Sequence, residues 1–232
     1  MPSTKKTLYF LASAASTSAS VGILGYAMST KWALSILECS NLDHVFTNGS
    51  AVVQYQLFSG VVDRKYCPEF GGDNKFQVLE SLAKTGGVPQ ILYAVMIFLL
   101  ALCLLCSAGS ILVTLYNSVS NPYETYMGPV GLYTCSSLSA CISLLVLVLY
   151  VVIITLTSIS QDLVQIDVGV TIDFTMIDKS SEFQMGYFLM LPYMGLCLLS
   201  ILLVYLYEHA AYTHRQQQQK PTEDAPKEIM MY

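Results

Sequence analysis

Residues 89–116 read PQILYAVMIFLLALCLLCSAGSILVTLY, from Pro89 to Tyr116, and contain no acidic, basic or histidine side chain. A helix crosses about 30 Å of hydrocarbon with roughly 20 residues. An ionised side chain at the bilayer centre costs about 2.5 to 3.5 kcal/mol on insertion scales, so gaps between charges mark membrane spans. The quoted stretch lies in a gap from Thr85 to Tyr123, and comparable gaps run from Thr7 to Thr30, Thr125 to Gln161 and Phe183 to Tyr207. Four membrane helices are therefore predicted, over 8–28, 89–116, 130–157 and 185–207.

Composition agrees. Of 232 residues, 54% are hydrophobic and 12% charged, about half the charged fraction of an ordinary soluble domain. The net charge of -5 leaves no basic surface with which to neutralise phosphates, so nucleic acid is excluded as a partner.

The first span is the least greasy, with Ala14-Ala15-Ser16-Thr17-Ser18-Ala19-Ser20 at its centre, and Lys5-Lys6 before an apolar run also fits a signal peptide. The uncharged run continues to Met28, beyond the length of a signal-peptide core, so a retained helix is expected. Its small residues at four-residue spacing, Ala15 with Ala19 and Ser18 with Gly22, would admit a neighbouring helix at close range. The other spans are rich in Leu, Ile and Val and hold no ionisable Asp, Glu, Lys, Arg or His away from their ends. That weighs against a pump or proton-coupled transporter, though not against a pore lined by carbonyls. Pro192 is expected to kink the fourth span.

Lysine and arginine are divided almost equally between the two sides, so orientation must come from chemistry in the loop 29–88. That loop carries Asn48-Gly49-Ser50, an acceptor pattern for N-glycosylation, and two cysteines outside the spans, Cys39 and Cys67, which either pair in an oxidising compartment or stay free. The expected topology has residues 1–7, 117–129 and 208–232 in the cytoplasm and loops 29–88 and 158–184 outside. The outer segments then hold six basic and eleven acidic side chains, a solvated acidic face without the ligand spacing of a calcium loop.

Strand periodicity is clearest in the second outer loop. Val164, Ile166, Val168, Val170, Ile172, Phe174 and Met176 alternate with polar residues and glycine, which predicts a strand over 163–176. The alternative is continuation of the third helix past Gln161, against which Gly169 argues. In the first loop Ala51–Phe58 is a second strand, ended by Ser59-Gly60, and Trp32–Leu37 a third. A lone hairpin is marginal in water, so one small extracellular sheet seated on the helix ends is expected.

Catalytic patterns are missing. The histidines His44, His209 and His214 lie outside the spans, no zinc-ligand spacing occurs, and the C-x-x-C of Cys103 and Cys106 falls inside the second span. No phosphate loop, nucleophile elbow or dinucleotide fingerprint is present. An enzyme is not expected, and neither cofactor nor metal ligand set is identified.

Several stretches resemble one family. They are Met1-Pro2-Ser3-Thr4-Lys5-Lys6-Thr7-Leu8, Trp32, Tyr55-Gln56-Leu57-Phe58-Ser59-Gly60, Tyr116–Thr125 with its Asn121-Pro122-Tyr123, Gly128-Pro129-Val130-Gly131-Leu132-Tyr133 and the terminal Met231-Tyr232. Together, across the whole chain, they resemble the clarins, most of all the third paralogue. The resemblance implies a four-span glycoprotein distantly similar to claudins and peripheral myelin protein: a membrane all-α, left-handed four-helix bundle with a small extracellular β-sheet. Two family members are needed in sensory hair cells, linked to bundle integrity, synapse organisation and hearing. The claudin signature is matched in part, by Trp32, Leu57-Phe58 and Cys67, but Cys39 precedes the Leu-Phe pair, which disfavours tight-junction behaviour.

The expected function is organisation of membrane protein partners at the plasma membrane, among membrane lipids. The rivals are a channel-associated subunit or small pore, and a claudin-like adhesion protein. The tail 208–232, with Gln216-Gln217-Gln218-Gln219, Pro221 and Pro226, has too little apolar content to fold. Its end places Tyr232 and Met230 for the two pockets of a PDZ groove, or is merely a hydrophobic terminus.

Overall fold

The computed structural model describes residues 4–40, 49–65, 74–119, 129–157, 159–168 and 175–219. Helix α1 (Thr4–Ser29) leads into strands β1 (Lys31–Ser40), β2 (Gly49–Gln56), β3 (Ser59–Lys65) and β4 (Asn74–Gln77). A short helix α2 (Val78–Thr85) precedes α3 (Val88–Val119). After α4 (Pro129–Leu156) come α5 (Ile159–Val168), β5 (Thr175–Phe183), the single turn α6 (Met185–Phe188) and α7 (Met190–Gln219). Four stretches, Lys6–Ser29, Val88–Val119, Pro129–Leu156 and Met185–Thr213, are long and apolar enough to cross a membrane. The fold is a four-helix membrane bundle with a small antiparallel sheet.

Around the bundle α1 packs on α3, α3 on α4, α4 on α7 and α7 on α1, so successive antiparallel helices enclose one interior. The outside is greasy: Phe98, Leu105 and Leu112, seven residues apart on α3, are all exposed, as are Leu144 and Val148 on α4 and Leu198 and Leu202 on α7. Such a surface is stable against lipid tails and a liability in water.

The sheet has the order β4-β3-β2-β1-β5 and is antiparallel at every step. Along β2 the residues Ala51, Val53 and Tyr55 are buried and alternate with half-exposed ones, the period of a strand with one covered face. In β1 the register shifts between Lys31 and Ala33. The extra residue at this bulge is Trp32, and it lets Trp32 and its neighbour Ala33 both point inward, where simple alternation would expose one. Between α2 and α3, Gly86 and Gly87 take φ of 71° and 86°, and the Gly86 N–H closes α2 by donating to Leu82 O at 2.9 Å. A side chain would be strained at either φ.

Three expectations are corrected. The strand expected over 163–176 is instead helix α5 as far as Val168; residues 169–174 lie outside the described residues, and β5 runs from Thr175 to Phe183. Residues Ile159, Leu163 and Ile166 stand at helical spacing while only Ile166 also belongs to the alternating run, and the burial of Ile159 and Leu163 as α5 packs on α2 favours the helix. The tail expected to be disordered from Glu208 is helical to Gln219. Ala, Gln, Glu and Arg are good helix formers, and extending a membrane helix requires no new nucleus. The remainder, 220–232, lies outside the described residues. Finally, Ser59-Gly60 does not end the second strand: β2 stops at Gln56, Leu57 and Phe58 make the turn, and Gly60 already pairs with Tyr55 and Phe76. Gly60 marks a close approach, since a Cβ there would stand 2.2 Å from Phe76 Cζ.

The fourth span is interrupted at Leu189, between α6 and α7. Pro192 has no N–H to offer the Phe188 carbonyl four residues earlier, which accounts for a break at that turn.

Candidate functional site

The sheet is fastened to the bundle through Trp32. Its indole is fully buried, Nε1–H donates to Ala27 O at 2.7 Å, and its ring meets Tyr150 of α4 edge-on at 5.1 Å. Tyr150 also lies 6.0 Å from Tyr187, which stacks on Phe183 at 4.6 Å. Gly186 closes the cluster: a Cβ there would come within 2.5 Å of Trp32 Cδ1 and 2.9 Å of Lys31 O. On the other side Tyr93 of α3 donates its hydroxyl to Leu57 O at 2.9 Å, pinning the β2–β3 turn. The Leu-Phe turn and the tryptophan are therefore both held by tyrosines on spanning helices.

Below this junction pairs of hydroxyl groups cross an otherwise apolar interior. Ser13 and Thr17 of α1 bond Ser200 Oγ of α7 at 2.7 and 3.0 Å. Ser107 of α3 bonds the Tyr193 hydroxyl at 2.9 Å, across the bundle, and Ser110 bonds Ser136 of α4 at 2.9 Å. Each of these residues is nearly or fully buried. In hydrocarbon no water is at hand to satisfy a hydroxyl, so such groups bond across helices and fix their register. At the far end Tyr133 of α4 donates to Glu208 Oε2 at 2.7 Å, and Tyr205 stacks on His209 at 6.1 Å.

The small residues of α1 point elsewhere. Ala15, Ser18, Ala19 and Gly22 are exposed on its outer side, and nothing stands within 4 Å of a Cβ built at Gly22 or Gly25. The face that packs inside the bundle carries Ser13, Thr17, Ser20, Leu24 and Ala27. The spacing of small residues thus identifies an approachable face, but the helix that would use it is not one of this chain's own.

Of the residues singled out by sequence, Asn48, Cys67, Met230 and Tyr232 lie outside the described residues. Cys39 sits on β1, its backbone opposite Gly49 of β2 and Met176 of β5. The structural anchors Tyr93, Tyr150, Tyr193 and Gly186 carry no motif. For the three tyrosines the one sequence signal is an aromatic hydroxyl set within an uncharged apolar run, a polar tip that burial has to accommodate. Cys103, Cys106, Cys135, Cys141 and Cys197 are free. Among the described residues no group of three or more His, Cys, Asp or Glu side chains is placed to hold a metal.

No protein-family model matches the chain. Three curated proteins are similar to it over its full length and theirs: Clarin-3 of Mus musculus at 31% identity, Clarin-3 of Homo sapiens at 30%, and Clarin-3 of Rattus norvegicus at 32%.

Proposed function

Since this chain belongs to the clarin family and is a multi-pass membrane protein, we propose that it organises other membrane proteins around itself in the plasma membrane, without enzymatic activity. The observation that carries this reading is the outward small-residue face of α1, where Ala15, Ser18, Ala19 and Gly22 leave room for a foreign helix. In lipid such faces associate by close packing. A setting in sensory cells is part of the proposal, and family membership is its one support.

In the proposed orientation both termini are cytoplasmic and the sheet is outside. Asn48 carries a glycan, and Asn48→Gln removes an enzyme-sensitive mass shift from protein made in a secretory system. Cys39 pairs with Cys67, which requires Cα atoms within about 7 Å. Because β2 separates β1 from β3, the chain beyond Lys65 must cross the Gly49 end of β2 for the bridge to close. Peptide mapping under non-reducing conditions that finds both thiols free removes the bridge. The end of the tail docks a PDZ scaffold through Tyr232 and Met230, a role abandoned if the tail peptide binds PDZ domains no better than its C-terminal amide.

The organising role itself is tested at the cell surface with fluorescently tagged full-length chain. Ala15→Leu with Gly22→Leu should disperse clusters and speed lateral diffusion, while surface delivery stays unchanged. Clusters and diffusion identical to wild type would sink the reading. Purified protein in planar bilayers tests the rival: reproducible selective conductance would replace the organiser with a pore.

A further inference from the structure

Beside the sheet edge, β4, α2 and α5 enclose a groove with a cavity volume of about 370 Å³, within the size range of small-molecule sites. Its walls carry Lys75 from β4 and Lys84 from α2, both exposed, with Glu80 between them in sequence. Opposite charges thus line one groove, yet among the described residues neither lysine forms an ion pair with Glu80. Ser81 is nine-tenths buried in the same wall, and its hydroxyl makes no hydrogen bond among the described residues. Leu163 of α5 and the ring of Phe76 supply the apolar part. The ring is held in place by Gly60, which has no Cβ to displace it.

The groove also lies close to the span ends. Ser81 precedes the first residue of α3, Val88, by seven positions, and Leu163 follows the last residue of α4, Leu156, by seven. The Gly86-Gly87 turn and the break after Leu156 fold these short connections back at the helix ends. A groove this few residues from two span ends stands beside the bilayer surface, where the polar interface of lipid headgroups begins.

We propose that this groove binds the headgroup of a zwitterionic phospholipid. The phosphate sits between Lys75 and Lys84 and accepts a hydrogen bond from Ser81, while the cationic amine or trimethylammonium lies against the Glu80 carboxylate and the Phe76 ring, a face that attracts cations. This occupant matches both signs of charge and the apolar wall. A purely anionic headgroup leaves Glu80 opposed to it. The inference does not depend on the organising role proposed above.

The experiment is native mass spectrometry of the full-length chain in detergent, titrated with phosphatidylcholine, phosphatidylglycerol or water-soluble glycerophosphocholine. Wild type should retain phosphatidylcholine about tenfold more tightly than phosphatidylglycerol. Lys75→Glu with Lys84→Glu should abolish that retention, and Glu80→Lys should reverse the preference. All three positions are exposed, and an unchanged melting temperature checks the fold of each variant. Equal retention of the two lipids by wild type, or retention of phosphatidylcholine by the double variant, overturns the proposal. Glycerophosphocholine binding as tightly as the lipid also overturns it, by making the occupant a soluble ester.

Discussion

Inside the bundle serine, threonine and cysteine side chains bond from helix to helix among apolar residues, whereas at the sheet the contact is made by rings of tryptophan, tyrosine and phenylalanine. The difference follows the surrounding solvent. Between helices lipid gives no hydrophobic drive, so close packing and hydroxyl bonds hold the contact. At the sheet the surroundings are wet, and large rings gain stability by leaving water. One chain thus uses two kinds of adhesion along one axis, and the two should differ in their sensitivity to substitution.

The largest effect is expected at the aromatic end. Trp32→Ala removes the only tryptophan together with its bond to Ala27 O, and should cost about 3 to 5 kcal/mol, read as a lower midpoint in denaturant unfolding in micelles. Gly186→Ala adds one methyl against the indole and the Lys31 carbonyl and should cost about 1 to 3 kcal/mol by the same measurement. In the hydroxyl seam Ser200→Ala should cost only about 0.6 kcal/mol, and at most about 1.7. A double-mutant cycle with Ser13→Ala should be non-additive, because the two share one hydrogen bond. If Ser200→Ala proved as damaging as Trp32→Ala, the division between the two regions would be wrong.

The smallest effect concerns Asp162, whose carboxyl is lifted above its ordinary value by partial burial on α5. A raised folded-state value means that the protonated form is favoured by folding, so this contribution is present at low pH and lost as pH rises through the folded value. At neutral pH the charge is a slight burden. Asp162→Asn should raise the thermal midpoint at pH 7 by an amount worth no more than about 0.5 kcal/mol, with no gain at pH 3.

The membrane helices were legible because exclusion of charge from lipid acts on every residue of a long run, and Val88–Val119 and Pro129–Leu156 sit in the uncharged gaps. The strands at β1 and β2 were legible from alternation over one covered face. Residues 163–168 misled because Val164, Ile166 and Val168 keep the strand period while Ile159, Leu163 and Ile166 keep the helical one, and the choice was made by α2, a distant helix. The stretch Glu208–Gln219 misled because polar composition speaks to burial and not to continuation of an existing helix. The groove could not be read at all: Lys75, Glu80, Lys84 and Leu163 form no motif, and they share a wall only after β4, α2 and α5 have docked.

The pairing of β1 with β5 has a consequence for biosynthesis. Leu34 meets Glu182 and Ser35 meets Ser181, although most of the chain separates them, so a ribosome releases β1 long before its second partner exists. Until then β1 is an open edge with unpaired N–H and C=O groups, a template for any other extended chain nearby. The strand that closes it is followed directly by the last membrane helix. Nascent chains stalled or truncated after α4 should therefore be the species that quality control detains, and release should coincide with insertion of the final span.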